Sequence, residues 1–183
     1  GYSHSLQDTV RGPGTGTYLY SDLNSAQGTY GAYGQISAFG TDGFTVASGG
    51  HGTYPTAQVN QNGVTYASWN WKGASSSVTN NVGTITSTVS ASPESGFSIV
   101  KYTATGTIIT NTVGHGLTTK PSLIIQKGAN TTSNWFPITD VVDGSVDYLM
   151  LNSNGAKGDM SGIYADFSIN DTTFTNWYSN TSG

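Results

Sequence analysis

The chain has 183 residues, enough for one generous domain or two small ones with a sizeable core. Only 9% of them are charged, the formal net charge is −4 and just six are basic, so no cationic stripe is available to neutralise phosphates, which argues against nucleic acid as a partner. Cysteine is absent, which removes any disulfide framework and thiolate chemistry, and no apolar run approaches the length of a membrane span.

Helical periodicity is nearly absent. The apolar stretches are short, β-branched or aromatic, and bounded by Gly, Asn, Asp and Pro. That pattern predicts an all-β fold, an antiparallel sandwich of jelly-roll or lectin-like kind. The chain opens on "GYSHSL" without an initiator Met, and is expected to be processed or excerpted. Strands are predicted at 17–21 and 43–47. Between and beyond them, Tyr30, Tyr33 and Tyr54 sit among glycines in "GTYGAYGQ" and "GHGTYP". Loops rich in Tyr and Gly present rigid, amphipathic contact area at low entropic cost, so these three are the candidate glycan-binding residues.

A strand is predicted at 64–71, where "GVTYASWNWKG" places Trp69 and Trp71 on one face. Two indoles on one face suit a sugar platform or a sandwich core, and the polar opposite face favours the core. The stretch 74–96, rich in Ser and Thr, reads as a linker or connection, with "VGTITSTV" able to add a strand. Further strands are predicted at 97–103, 107–111, 122–126 and 148–151. "SLIIQ" has the continuous apolar centre of a strand covered on both faces.

His115 lies between glycines in "VGHGL" with no nucleophile elbow beside it. The chain has a single Glu, Glu94, so a glycosidase would depend on aspartates alone. Enzyme chemistry is not expected, and neither is a cofactor. Asp140, Asp143 and Asp147 in "DVVDGSVD" could offer oxygen ligands to calcium, but their spacing is not that of an EF-hand loop, and a solvated turn is the preferred reading.

An internal repeat organises the whole. "DTVRG" from Asp8 matches "DVVDG" from Asp140, and "TYLYSDLNSAQG" matches "DYLMLNSNGAKG". "FGTDGFT" matches "FSINDTTFT", again at a separation of about 130 residues. Residues 1–73 then read as the back half of one β-module and 97–183 as the front half of a second, with 74–96 between them. The halves can pack as one sandwich or exchange strands between copies, so a homo-oligomer is expected.

These motifs in this order, with "FGTDGFTVASG", "VGTITSTVSASPESGFSIVKYTATG" and "VGHGLTTKPSLIIQKG", resemble a bacteriophage family of tail-fibre and virion-surface proteins. That family is common in marine phages and often sits beside concanavalin/laminin-G-like β-sandwich modules. The resemblance implies a virion-associated, extracellular structural protein displayed for host attachment. Its implied partners are other virion proteins, further copies of itself and a host-surface glycan, with no role for nucleic acid or membrane. The competing expectation is a purely structural self-assembling subunit of a capsid decoration or filament.

Overall fold

In the computed structural model, residues 2–28, 31–106, 111–160 and 167–176 are described. They are all-β, with strands paired antiparallel in several small sheets, in keeping with the expected sandwich class. The strands are short: β1 Ser5–Leu6, β2 Leu19–Tyr20, β3 Gln35–Phe39, β4 Phe44–Ala47, β5 Val78–Asn80, β6 Ser87–Ser92 and β7 Phe97–Tyr102. They continue with β8 Thr112–Gly114, β9 Ile124–Lys127, β10 Trp135–Thr139, β11 Asp147–Tyr148, β12 Gly158–Asp159 and β13 Thr173–Thr175. A single 3₁₀ turn at Gly31–Tyr33 is the helical element among the described residues.

The chain divides into two compact units, one of residues 1–70, 125–137 and 150–155, the other of 71–124, 138–149 and 156–183. In the first, β1 pairs with β2 through Ser5↔Tyr20 and Leu6↔Leu19, and β3 pairs with β4 across a bulge between Ile36 and Ala38. Its core holds Tyr18, Leu19, Tyr20, Ala57 and Trp135. Trp135 is only 3% exposed. Its indole N–H donates to the carbonyls of Tyr20 at 2.8 Å and Leu23 at 3.1 Å, so a large apolar ring enters the core without an orphaned donor. Lys127 sends its ammonium inward to the carbonyls of Gly128 at 2.7 Å, Thr131 at 3.2 Å and Asn24 at 3.4 Å, and to Ser133 Oγ at 3.1 Å.

In the second unit β5, β6 and β7 form a meander, with Val78↔Val89 and Ser87↔Tyr102 among the partners. The stretch 74–96, read from sequence as a linker or connection, thus supplies two of three strands. Its Thr and Val residues have strand propensity that the surrounding serines obscured. The inward face of this sheet buries Ser87 and Val89, beside a core of Ile85, Val113, Ile138, Met160 and Phe174. β8 pairs with β13 across some sixty residues of sequence, Val113 facing Phe174.

Two sequence expectations fail here. Residues 64–71 do not form a strand, and Trp69 and Trp71 are 77% and 65% exposed instead of buried. Alternation of aromatic and polar residues predicts which side chains share a face, but burial needs an element to cover that face, and residues 62–72 are exposed throughout. The aromatic residues buried in the first unit are instead Trp135 and the Tyr18–Tyr20 pair, whose rings lie 5.3 Å apart. Likewise β9 is not covered on both faces, since Leu123 and Ile125 are exposed. The strand expected at 107–111 lies largely outside the described residues; Asn111, its last position, has no strand assignment and directly precedes β8.

A row of rings as candidate binding site

Three short segments of the first unit are tied together by backbone hydrogen bonds. Gln58 N–H donates to the Tyr33 carbonyl at 3.0 Å, His51 N–H to Ala32 at 2.9 Å, and Gly49 N–H to Pro55 at 2.6 Å. The chain can come this close only because of its glycines. A Cβ on Gly49 would stand 2.3 Å from the Ala32 and Gly31 backbone, and Gly34 has φ +101° with Val59 Cγ2 2.6 Å from where a Cβ would be.

This knot aligns aromatic rings. Tyr33 stacks on His51 with centroids 4.6 Å apart, and His51 stacks on Tyr54 at 5.7 Å, both at 27°. Tyr2 extends the row, tilted at 47° and 5.3 Å from Tyr33. The His51 ring is fixed in turn: its Nδ1 accepts the backbone N–H groups of Thr53 at 3.2 Å and Tyr54 at 3.0 Å. An accepting Nδ1 places the proton on Nε2, so the ring offers one N–H donor beside the phenol hydroxyls. Tyr54, at 47% exposure, ends the row at the surface.

Of the three tyrosines singled out in the sequence, Tyr33 and Tyr54 are therefore brought together through His51, while Tyr30 lies outside the described residues. Tyr2 and His51 were not foreseen as members. The only signal for His51 was its place in the same "GGHGTYP" loop as Tyr54, and for Tyr2 there was none, because its contact spans thirty residues.

The acidic residues separate. Asp140 pairs with Lys120, whereas Asp143 and Asp147 converge on Lys157, whose Nζ lies 2.8 Å from Asp143 Oδ2 and 2.7 Å from Asp147 Oδ1. The cation between these two carboxylates is an ammonium supplied by the chain. Hydrogen bonds from Lys157 and Ser145 hold the Asp143 carboxyl far below the usual carboxylate range. Asp147 is fully buried, and its Oδ2 has no hydrogen-bond partner among the described residues. His115 is also buried, with Nδ1 accepting the Leu117 N–H and Nε2 facing the Asn170 carbonyl, so both ring nitrogens serve the packing of the second unit.

Among known families, the one described as a domain of unknown function (DUF7483) matches residues 1–182. No curated protein and no solved structure matches the chain.

Proposed function

We propose that this chain, which belongs to the DUF7483 family, is a non-enzymatic surface module of a phage virion or tail fibre that attaches to a host-surface glycan. The observation that carries the reading is the ring row Tyr2–Tyr33–His51–Tyr54, held by backbone contacts and ending in an exposed Tyr54. Stacked rings with hydroxyl and N–H donors at their margins suit the alternating C–H faces and hydroxyls of a sugar, and they bind without performing chemistry. Their rigidity lowers the entropic cost of binding. The motif order resembling phage virion proteins points to the same setting.

A glycan array probed with the intact chain tests this. At least one sugar is expected to bind reproducibly, and Tyr54→Ala to weaken it about tenfold, equivalent to roughly 1.4 kcal/mol. An array without signal, or a hit indifferent to Tyr54→Ala, removes the assignment.

A second reading, a self-assembling structural subunit, is favoured by the exposed residues 64–70, which hold Trp69 and have no strand partner among the described residues. Such a run is suited to strand addition between copies. A native mass equal to that of a monomer at high concentration discards it.

A further inference from the structure

The meander of the second unit has an outward face that differs from the rest of the surface. Along β7, Phe97, Ile99 and Lys101 share one face, and their partners on β6 are Ser92, Ser90 and Thr88. The opposite face points to the core, where Tyr102 donates to Asn176 at 2.8 Å and Ser98 to the His115 carbonyl at 2.5 Å. The segment 71–74 crosses the outward face from its Phe97 end to the Ser90–Ile99 pair in its middle. It is anchored firmly: Ser95 Oγ donates to the Lys72 carbonyl at 3.0 Å and the buried Ser90 Oγ to that of Ala74 at 3.3 Å. Gly73 fits so closely that a Cβ would meet Ser90 Oγ at 2.8 Å.

This anchoring sets the Trp71 indole on Phe97, centroids 6.0 Å apart and planes 21° apart. One ring face is backed and the indole remains 65% exposed. An exposed indole held in place is a stacking surface that loses little freedom when a ligand arrives.

The charges on this face are unusual for the chain. Four of its six basic residues are engaged: Arg11 with Asp8, Lys120 with Asp140, Lys157 with Asp143 and Asp147, and Lys127 with carbonyls. The other two, Lys72 and Lys101, have no ion pair among the described residues; Lys72 follows Trp71 in sequence and Lys101 lies four residues along β7 from Phe97. Glu94, in the adjoining turn, is the acidic residue nearest in sequence and also has no ion pair among the described residues, which leaves a net positive balance. From Phe97 to Lys101 the strand runs about 13 Å at roughly 3.3 Å per residue. Thr88 and, on β5, its partner Thr79 present hydroxyls beside Lys101.

We infer that this face is a second glycan site, independent of the tyrosine row, for an acidic oligosaccharide. One pyranose ring stacks on Trp71, the chain passes over the segment 73–74, and a carboxylate further along meets Lys101 beside the threonine hydroxyls. A neutral glycan would satisfy the indole but leave the two lysines unused.

The test is a titration of the whole chain with a tetrameric oligogalacturonate and with its methyl ester, following tryptophan emission. The acid form is expected to bind and shift the emission to shorter wavelength, with the ester at least fivefold weaker. Lys101→Gln, an exposed change, should weaken the acid form about fivefold and leave the ester unaffected. Trp71→Ala should abolish the shift; if that variant does not fold, Trp71→Phe should retain part of the affinity. Tyr54→Ala should change none of this, which separates the site from the ring row. The inference is overturned by absence of binding at millimolar sugar, by equal affinity for acid and ester, by a Lys101→Gln variant that binds like the parent, or by a dimer that buries Trp71 without sugar.

Discussion

At the scale of single residues, three tryptophans of the described structure divide by what covers them, not by the sequence around them. Trp135 donates its indole N–H to two carbonyls and is closed off from water, so Trp135→Ala should cost about 3–5 kcal/mol, the range of large-to-small core changes. Trp69, 77% exposed, should give way to Ala within about 0.5 kcal/mol, as an ordinary surface position does. Urea denaturation of the two variants measures both. The sequence pointed to Trp69 and Trp71 as core residues, because "WNW" displays an alternating pattern, whereas Trp135, in "SNWFP", displays none. Alternation carries information on faces, whereas the partner that buries Trp135 is more than a hundred residues distant. The acidic turn illustrates the same limit. The run "DVVDGSVD" offered oxygen ligands but reads by its spacing as a solvated turn, and only the folded chain brings Lys157 between Asp143 and Asp147.

Among the elements, strands with Val, Ile or Phe runs bounded by Gly or Pro were legible, β4, β7 and β9 among them, to within a few residues. β5 and β6 were less so, since their outward positions carry Ser and Thr, residues that serve turns as readily as strands. The repeat is visible as matched turns: Gly12 and Gly144, equivalent in "DTVRG" and "DVVDG", have φ +88° and +94°. Their fourth residues diverge with a reason. Arg11 closes on Asp8 of its own turn, while Asp143 reaches out to Lys157. The ring row depends on an element contact that can be broken by one methyl group. Gly49→Ala drives a Cβ into the 3₁₀ turn and should cost about 1–3 kcal/mol, the usual penalty of overpacking, while parting Tyr33 from His51. Gly50→Ala, where a Cβ meets nothing within 4 Å, is the matched control. Thermal melts of the pair, with near-ultraviolet circular dichroism for the rings, check this; equal behaviour of the two variants refutes the contact.

For the molecule as a whole, the pH profile of stability follows from a few buried groups. Burial pulls the Lys127 ammonium down to about 8 from an ordinary 10.5. Between these values the unfolded chain binds more protons than the folded one, so stability rises with pH from 8 upward. Burial pushes Tyr20 up to about 12 and moves Tyr102 further in the same direction, from an ordinary 10.0. Above pH 10 the unfolded tyrosines ionise first and stability falls again. Melting temperatures recorded by circular dichroism from pH 7 to 11 should therefore pass through a maximum near pH 10. Lys127→Met should flatten the rising limb and spare the falling one. A rising limb unchanged in that variant would place its origin elsewhere.

The exposed indoles also govern how the protein can be observed. An excited indole in contact with water emits at long wavelength whether or not the chain is folded. Trp69 and Trp71 therefore contribute light that unfolding scarcely alters, and the change at Trp135 is diluted by it; Trp177 lies outside the described residues. A soluble quencher should consequently meet at least two populations in the native protein, one open and one shielded. Fluorescence intensity then becomes a gauge of what touches the surface, and circular dichroism the better gauge of folding.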